Sequence, residues 1–453
     1  KLNNTLVKIM NKVELLAPVG SKEAMICAIN NGADAIYFGG MNFGARAYAN
    51  NFTNEEIAEA INYCHRLGVF AYVTVNTLIK DSEFSEALAF VKFLYVNNVD
   101  AVIIQDLGLL NAIKSLYPDL VIHASTQMNV HSVSQAKTLQ ALGVKRIVLA
   151  RETPLDIVKD IASLPGLEVE VFVHGALCFS YSGNCYYSSL IGNRSGNRGR
   201  CAQPCRMLYA LDEVTDNQYL LSTKDLMTID YLDDLISAGV SSLKIEGRMK
   251  RPEYVGVVVK AYKEALDKKP DPLAKKNLAL MFNREFTKGF INNETNRDFT
   301  NIKSPNHIGI EVGKVIKVDR NNAYIKLTEP INNNDSLRIL SSKEDAITLN
   351  GINVNGKIVK SANPGEVIKV YTHHIIDNNA IVLKTSDAKL IDEINRVPRK
   401  QIALSGELSI NNKHLVLTVS DGINIVTTIS ETEIQDANNE TVLARMLEQI
   451  KKT

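Results

Sequence analysis

The sequence predicts an α/β protein in which residues 1–300 form a TIM-like (β/α)8 barrel, followed by a small antiparallel β-barrel and a partial C-terminal domain. Three observations lead to this prediction. Short apolar runs alternate with longer amphipathic stretches through the first half of the chain, eight such runs can be counted, and no glycine-rich dinucleotide fingerprint follows the first run. An open, doubly wound sheet has the same periodicity and remains the alternative.

The eight apolar runs are the predicted strands, and each ends in a polar or glycine-containing cluster. In chain order they are VELLAPVG (13–20), AIYFGG (35–40), VFAYVTVNT (69–77), AVIIQD (101–106), LVIHASTQMN (120–129), RIVLARE (146–152), LEVEVFVHG (167–175) and SSLKIEGR (241–248). The amphipathic stretches between them carry helix start and stop signals. In TNEEIAEAINYCHRLG, for example, Thr53 can cap a helix, Glu56 stands three residues later, and Gly68 ends it.

The seventh unit of the predicted barrel carries a cysteine-rich insertion at residues 175–222. About 65 residues separate the end of the seventh run from the start of the eighth, which is well above the usual length of a crossover. In a barrel this insertion would lie over the C-terminal face, where the active sites of the fold are built.

The later part of the chain has a different pattern. A helix is predicted to begin at Pro252, because proline suits the first helical position. Residues 301–400 contain short alternating strands separated by turns, which predict the β-barrel. Residues 401–453 begin with a hairpin pattern and are expected to start an additional domain that is incomplete here.

Composition limits the classes of partner. The 453 residues include 51 Lys and Arg against 50 Asp and Glu, so a nucleic acid would have to be held by a local basic patch. Because no run is long enough for a transmembrane helix and the start lacks the features of a signal peptide, a cytoplasmic protein without a membrane partner is expected. In such a chain, clustered cysteines favour metal binding or redox chemistry over a disulfide scaffold.

Four of the six cysteines lie in residues 173–207, a segment that also contains four arginines and no acidic residue. They are Cys178, Cys185, Cys201 and Cys205, with six, fifteen and three residues between successive members. Four thiolates complete either a tetrahedral zinc site or a 4Fe-4S cluster. Neither pair has the Cys-x-x-Cys spacing of a zinc ribbon, and ordinary buried thiols are the alternative.

The same segment holds three candidate substrate-binding arginines, Arg194, Arg198 and Arg200, close to Tyr186 and Tyr187. Guanidinium groups bind phosphate or carboxylate through two hydrogen bonds, and aromatic rings can stack on bases. A solvated surface loop is the alternative interpretation, because runs of charge usually face water.

Polar side chains at the ends of the predicted strands should converge on the mouth of the barrel. Lys244, Glu246 and Arg248 alternate along the last strand and its exit, so they should point the same way and form a clamp for an anionic substrate, with Glu246 as orienter or acid/base. The catalytic candidates are Glu246, His174 and Lys244, the substrate-binding candidates are Arg248, Arg151, Gln127 and Asn129, and the other polar strand ends are Asn76, Gln105, His123 and Glu152. Any of them alone could be a salt-bridged structural residue. The chain contains no Gly-x-Ser-x-Gly elbow, His-Glu-x-x-His motif or Walker loop, so no motif supports an ordinary hydrolase.

The run EVEVFVHGALCFSYSGNCYYSS resembles the signature of the U-thirty-two peptidase family, also called collagenase-like proteases. ELLAPVGSKEA, ADAIYFGG, GNRGRCAQPCR, LSTKDL and SLKIEGRMKRPEYV resemble the other blocks of that family, over about residues 12–400. The resemblance implies a (β/α)8 barrel followed by a translation-factor-like β-barrel. It also implies an iron–sulfur cluster on Cys178, Cys185, Cys201 and Cys205, which match the cysteine positions of the family one by one.

Several members of that family are similar to RNA hydroxylases, so the resemblance implies prephenate-dependent hydroxylation of an RNA pyrimidine at carbon 5. The favoured product is 5-hydroxycytidine in large-subunit ribosomal RNA, because the tail from residue 401 is similar to that branch, and 5-hydroxyuridine at the tRNA wobble position is next. Prephenate, a small dicarboxylate, would be the hydroxyl donor. A collagenase-like peptidase is the alternative enzyme. A binding module that uses zinc only as a structural metal, and catalyses no reaction, is the third possibility.

Overall fold

A computed structural model describes residues 13–46, 51–211, 217–295, 297–434 and 442–450. The chain divides into two compact units. One unit contains the described residues up to Arg399, and the other contains those from Lys400 onward.

Eight parallel strands form a closed barrel in the first unit. They are β1 (Glu14–Pro18), β2 (Ala35–Gly39), β3 (Phe70–Val75), β4 (Ala101–Ile104), β5 (Ile122–Ala124), β6 (Arg146–Val148), β7 (Glu168–Ala176) and, after a short β8 (Asp225–Met227), β9 (Ser242–Ile245). Each strand pairs with the next, and β9 pairs with both β7 and β1, which closes the ring. All eight predicted strands are therefore confirmed, and the closed barrel is found in place of the open sheet.

Helices follow the first six strands. They are α1 (Lys22–Asn30), α2 (Asn54–Arg66), α3 (Phe84–Val96), α4 (Leu107–Leu116), α5 (Val133–Ala141) and α6 (Leu155–Ala162). The predicted start of α2 is confirmed as a reciprocal cap, in which the Thr53 hydroxyl accepts from the Glu56 amide and the Glu56 carboxylate accepts from the Thr53 amide. Gly68 follows the C-cap residue of α2, and its φ of +62° is a backbone conformation that glycine adopts without strain.

The seventh unit is longer than the others. Between β7 and β9 the described residues form α7 (Tyr187–Gly192), three 3-10 turns (Gly196–Arg198, Pro204–Arg206 and Ile229–Tyr231), β8 and α8 (Leu232–Ser237). Strand β8 runs antiparallel to the end of β7 and is joined by β10 (Phe286–Thr287). After β9, helix α9 (Pro252–Leu266) begins at Pro252 as predicted, and α10 (Ala274–Met281) follows it.

Antiparallel β structure follows the barrel, as predicted. An eight-stranded sheet and a two-stranded sheet share one apolar core. The strands are β11 (Ile310–Asp319), β12 (Asn322–Leu327), β13 (Ile331–Asn332), β14 (Ser336–Leu340), β15 (Asp345–Thr348), β16 (Ile352–Val354), β17 (Lys357–Val359), β18 (Ser361–Ala362), β19 (Val367–Tyr371) and β20 (Ile381–Ser386), and α11 (Ala388–Asn395) comes after them. The large sheet has the order β15-β14-β20-β11-β12-β19-β16-β17.

The second unit contains a three-stranded antiparallel sheet. Its strands are β21 (Ser405–Asn411), β22 (His414–Ser420) and β23 (Ile425–Glu433), and α12 (Val442–Ile450) is also described. The predicted hairpin is thus the first part of a three-stranded meander. Throughout the described ranges, none of the helices combines the length and the apolar composition needed to cross a membrane.

Side chains alternate along the barrel strands between the outer layer and the interior. Leu15 and Ile36 belong to the large core that includes the surrounding helices, whereas Leu16, Tyr37 and Tyr72 belong to a small apolar group that includes only strand residues. This inner group is too small to fill the barrel by itself, and charged side chains occupy the interior as well.

A paired group of charges lies among residues near the N-terminal ends of the strands, and we call it the lower cluster: Glu14, Arg146, Glu168, Glu170 and Lys244. Arg146 bonds Glu14 at 2.5 Å, Glu168 at 2.9 Å and Glu170 at 3.3 Å. The Lys244 ammonium donates to Glu170 at 2.8 Å, and two hydroxyl groups donate to Glu14. Glu170 is fully buried, and its ion pairs with Arg146 and Lys244 offset the cost of burying a carboxylate.

Candidate functional site

A second group of charges lies at the C-terminal ends of the strands, where Glu246 directly follows β9. Two arginines from separate loops bind the same carboxylate oxygen of Glu246: Arg46 at 3.1 Å and Arg151 at 2.7 Å. Arg46 lies between β2 and α2, and Arg151 lies after β6. The closed barrel brings these three residues together although about 200 positions separate Arg46 from Glu246 in the sequence.

Arg248 completes this group, which we call the upper cluster: Arg46, Arg151, Glu246 and Arg248. Its side chain is buried, and its Nη1 donates to the Thr74 hydroxyl at 2.7 Å. Its Nη2 is also buried but has no hydrogen-bond partner among the described residues. A buried N–H group without an acceptor costs about 1–3 kcal/mol, so Nη2 is a donor that a bound anion would satisfy.

Glycines make room for the Arg248 guanidinium. A Cβ atom at Gly39 would lie 2.7 Å from Nη1, closer than such atoms come in proteins, and one at Gly44 would touch Nη2 at 3.8 Å. Gly39 thus allows the backbone to approach the arginine side chain closely, whereas the contact at Gly44 would be an ordinary one.

The upper cluster holds Glu246 in its ionised form. Burial alone would raise the pKa of Glu246, but Arg46, Arg151, Arg248 and Lys244 lower it to about 2. Such a weakly basic carboxylate is a poor proton acceptor at neutral pH. Of the two roles predicted for Glu246, the geometry therefore favours orienting the arginines over acid/base catalysis.

Arg248 keeps its charge at neutral pH. Burial and the neighbouring Arg46 lower the pKa of Arg248 to about 10. Three guanidinium groups thus face one carboxylate, so the mouth of the barrel carries an excess of positive charge. This arrangement is suited to a carboxylate or phosphate group.

His174 and Lys244 do not reach the mouth, contrary to the convergence predicted for the strand ends. His174 is 1% exposed, packs against the rings of Tyr254, Tyr262 and Phe286, and has its pKa lowered to about 4 by burial. Lys244 is buried and bound to Glu170 in the lower cluster. Both side chains were predicted to converge on the mouth. Instead, the His174 ring faces α9 and β10 in the layer around the barrel, and Lys244 binds Glu170 deeper inside the barrel.

His123 is likewise an interior residue. Its ring lies 4.7 Å from that of Tyr72, and burial lowers the pKa of His123 well below its usual value. The ring therefore stays neutral at pH 7 and belongs with the packed interior.

Gln127 and Asn129 shape the rim next to the upper cluster. The Gln127 amide donates to the Asn76 carbonyl at 2.7 Å, and the Asn76 side chain accepts from the Ala45 amide at 3.0 Å, next to Arg46. Gln127 and Gln105 also line a groove of about 550 Å³ between α4 and α5. Asn129 has φ 54°, and its buried Oδ1 has no partner among the described residues.

The insertion after β7 is tied to the barrel at several points. Glu152 accepts from the Ser182 amide at 2.7 Å and from the Ser182 hydroxyl at 2.9 Å. Arg198 binds Glu83 through two hydrogen bonds, at 2.7 and 3.0 Å, and also donates to the Leu78 carbonyl. Arg198 was predicted to bind substrate, but these three bonds already occupy its guanidinium group.

The other arginines of the insertion differ in exposure. Arg206 donates to the hydroxyls of Ser222 and Thr223 and to two backbone carbonyls, so it is a structural residue. Arg194 and Arg200 are exposed on the surface of the insertion, a position that fits both the predicted substrate binding and the alternative of a solvated loop.

The four predicted metal-binding cysteines lie near one another and near the upper cluster. Burial raises the pKa of Cys205, and the charges that Cys178, Cys201 and Cys185 would carry raise it further. Burial also raises the pKa of Cys178, whereas the positive charge of Arg151 lowers it. The insertion therefore lies beside the mouth. The segment thus lies within electrostatic range of the upper cluster.

The donor chemistry of the cysteine segment fits an iron–sulfur cluster. All four candidate ligands are thiols, and the Gln203 amide donates to the Cys201 sulfur at 3.3 Å, the kind of bond that stabilises cluster sulfurs. As placed, however, no three His, Cys, Asp or Glu side chains of the described residues form a group able to hold a metal ion. The ligand set predicted from the sequence is therefore present, but the side chains do not form a closed metal site.

Arg46 and Thr74 were missed by the reading of the sequence. The signal for Arg46 was its position in a glycine-rich loop after the second strand, since loops at this end of a barrel carry functional residues. Thr74 lies inside β3 and has no such signal, because a threonine is common in any strand.

Fold and site together define the class: a closed α/β barrel with an arginine-rich mouth and a cysteine-rich insertion held beside it. The chain belongs to the family described as Peptidase family U32, which matches residues 20–301. The family suggested by the sequence motifs is thereby confirmed.

Curated relatives cover much of the chain. The 23S rRNA 5-hydroxycytidine C2501 synthase of Escherichia coli (strain K12) is 34% identical over 95% of this chain and 68% of its own length. The tRNA hydroxylation protein P1 of Bacillus subtilis (strain 168) is 36% identical over 57% of this chain and 64% of its own length. A protein named collagenase from Porphyromonas gingivalis (strain ATCC BAA-308 / W83) is 37% identical over 62% of this chain and 74% of its own length.

Proposed function

We propose that this protein is an enzyme that hydroxylates a pyrimidine of RNA at carbon 5. The observation that carries the proposal is the upper cluster, in which Arg248 presents an unpartnered, buried Nη2 beside Arg46 and Arg151. A site with excess positive charge at the mouth of a barrel suits an anionic co-substrate. The relatives named for rRNA and tRNA hydroxylation support RNA as the second substrate.

The co-substrate in this proposal is prephenate, which would donate the hydroxyl group. Its two carboxylates match the chemistry of arginine, and one of them would accept from Arg248 Nη2. Exchange of the pyrimidine hydrogen for the hydroxyl of the donor, RH + R′OH giving ROH + R′H, conserves atoms and electrons. Glu246 would hold Arg46 and Arg151 in place for this anion and accept their hydrogen bonds when the site is empty.

Cys178, Cys185, Cys201 and Cys205 would hold a 4Fe-4S cluster, with zinc as the alternative metal. Their donor chemistry supports this assignment, and closing the site requires the insertion to draw the four thiols together. When bound, the cluster would supply a Lewis-acidic or redox-active iron next to the mouth. The arginines of the chain bind and orient the anion.

The favoured substrate is a cytidine of large-subunit ribosomal RNA, with the uridine at the tRNA wobble position next. The alignment with the rRNA enzyme extends over 95% of the chain, whereas that with the tRNA protein covers 57%. Both RNAs occur in the cytoplasm, where we place the activity.

A collagenase-like peptidase is the second candidate, favoured by the similarity to the protein named collagenase. A peptidase needs a nucleophile activated by a base or a metal. Among the described residues at the mouth, no histidine is hydrogen-bonded to a serine or cysteine side chain, and Glu246 is too weak a base. The site geometry therefore gives this alternative less support.

Nucleoside mass spectrometry of a deletion strain tests the proposal. Ribosomal and transfer RNA should lose a 5-hydroxypyrimidine, and the wild-type gene should restore it while Arg248→Met should not. Retention of every 5-hydroxypyrimidine in the deletion strain would refute RNA hydroxylation by this protein. Metal analysis of anaerobically purified protein should find iron and acid-labile sulfide, and zinc alone would refute the cluster.

A further inference from the structure

We propose that the insertion carries a stacking face for single-stranded RNA, formed by Phe179, Tyr181, Tyr186, Arg194 and Arg200. This inference rests on the proposed function and names the form of RNA that the protein would recognise. Single-stranded nucleotides have exposed base faces that aromatic rings can cover, whereas paired bases in a duplex already stack on one another.

The first observation is the exposure of aromatic side chains in one short segment. Phe179 is 48% exposed, Tyr181 64% and Tyr186 59%. Aromatic rings usually account for much of the buried area in a core, so exposed rings gathered in one segment indicate an interaction surface. Elsewhere in the barrel, rings such as Phe38 and Tyr262 are buried.

The second observation is the charge of the same segment. Residues 171–211 contain no Asp or Glu, and Arg194 and Arg200 are exposed within this range. A surface without acidic residues does not repel a polyanion, and each arginine can neutralise a phosphate. Rings interleaved with cations are the combination found where proteins bind single strands without reading every base.

The third observation is that the segment is held in place. Ser182, next to Tyr181, is fixed by Glu152, and the Asn197 amide donates to the Gly183 carbonyl. A Cβ atom at Gly183 would lie 2.1 Å from the Gln127 carbonyl oxygen, so glycine is required for this close approach to the rim of the barrel. Because these contacts tie the backbone at Ser182 and Gly183 to the barrel, the neighbouring Tyr181 would lose less conformational entropy on binding.

The position of the face connects it to the upper cluster. Phe179 follows Cys178, whose thiol lies within electrostatic range of Arg151 and Arg46. Nucleotides stacked on the face would therefore lie beside the mouth of the barrel, with a neighbouring base free to enter it. An unpaired loop of RNA supplies both the stacked bases and the base that enters.

RNA binding by the full-length, anaerobically purified protein tests the inference. The probe is a fluorescein-labelled RNA of about 20 nucleotides without secondary structure, and a duplex of the same sequence is the comparison. Tyr181→Ala and Tyr186→Ala should each weaken binding of the single strand about ten-fold, which corresponds to one stacked base. Tyr181→Phe and Tyr186→Phe keep the rings and should bind within about two-fold of the wild type.

Two further variants make the test specific. Leu190→Ser removes a side chain that is 83% exposed on α7 and should leave binding unchanged, because leucine has no ring to stack on a base. Arg200→Gln should lower the slope of log affinity against log salt by about 0.7, the value for one phosphate of a single strand. If an alanine variant failed to fold, the comparison of the single strand with the duplex would still test stacking, and an unchanged salt slope in Arg200→Gln would exclude Arg200 from the face.

Some outcomes would overturn the inference. These are unchanged affinity in both alanine variants, equal or tighter binding of the duplex, or an effect of Leu190→Ser as large as that of the tyrosines, which would indicate an apolar protein partner. Failure of the proposed function is distinct. Tight, tyrosine-dependent binding with no 5-hydroxypyrimidine formed in cells would support the stacking face and refute hydroxylation.

Discussion

The lower and upper clusters occupy the same barrel and use the same residue types, but they differ in how their charges are satisfied. In the lower cluster, Arg146 and Lys244 bind three carboxylates. In the upper cluster, three arginines share Glu246, and Arg248 has a buried N–H group without a partner. The lower cluster is complete without a ligand, whereas the upper cluster becomes complete only when an anion binds.

This difference separates a charge group that supports folding from one that supports function. A buried charge with all its hydrogen bonds made is costly to disrupt. A buried donor without an acceptor lowers stability and is retained where a ligand supplies the acceptor. Paired charges and perturbed pKa values occur in both clusters, so the unsatisfied donor is the more useful indicator of a site.

The largest expected effect is on the free energy of unfolding, when an arginine is replaced by methionine in each cluster. Arg146→Met should lower the free energy of unfolding by about 3–5 kcal/mol, because it leaves buried carboxylates without a cation. Arg248→Met should change the free energy of unfolding by about 1 kcal/mol or less, since it also removes the unpartnered Nη2. Urea unfolding of the two variants measures both values, and equal losses would show that the clusters do not differ in this way.

The second effect concerns activity. Arg248→Met should reduce RNA hydroxylation about 100-fold, because it removes a charged donor from the anion site. Arg396→Met is the matched arginine change, because this side chain is 78% exposed and lies outside both clusters, and it should retain most of the activity. Hydroxylation should be assayed with purified protein, RNA and prephenate, and full activity of Arg248→Met would exclude the upper cluster as the anion site.

The third effect is a pH dependence that belongs to Glu246. Its pKa is about 2 in the folded protein and about 4.3 when unfolded, so its ionised form stabilises the fold above about pH 4.5. This contribution, on the order of 3 kcal/mol, is lost as the pH falls from there toward 2. The stability difference between the wild type and Glu246→Gln should therefore be constant from pH 7 to 5 and shrink below pH 4. A difference that did not change with pH would contradict the low pKa.

The smallest effect is expected at the edge of the lower cluster. Glu168 also binds Arg146, but its side chain is 34% exposed, so water can replace the lost partner. Glu168→Gln should cost about 1 kcal/mol or less in urea unfolding. The corresponding change at the fully buried Glu170 should cost several times more. Equal costs would mean that burial does not decide the strength of these pairs.

Much of the fold could be predicted because strand and helix signals are local. The eight apolar runs, the cap formed by Thr53 and Glu56, and the start of α9 at Pro252 all depend on residues close together in the chain. Strand count and the absence of a dinucleotide fingerprint then favoured the closed barrel, and pairing of β9 with β1 confirms it.

The candidate site could be predicted only in part. Positions after strands indicated Arg151, Glu246 and Arg248, because the C-terminal ends of barrel strands meet at one face. The same reasoning wrongly placed His174 and Lys244 at that face. Strand position alone does not reveal that His174 faces the helix layer or that Lys244 is bound by Glu170 deeper in the barrel.

The sequence by itself determined the order of strands and helices, the family and the set of cysteines and arginines available for chemistry, because these depend on residue identity and spacing. Only the tertiary structure decided which charges are paired. Arg198 is bound by Glu83, Lys244 by Glu170, and Arg46 meets Glu246 from a distant loop. Whether a charged side chain is free to bind a ligand depends on burial and on partners far apart in the chain, and closure of the barrel brings those partners together.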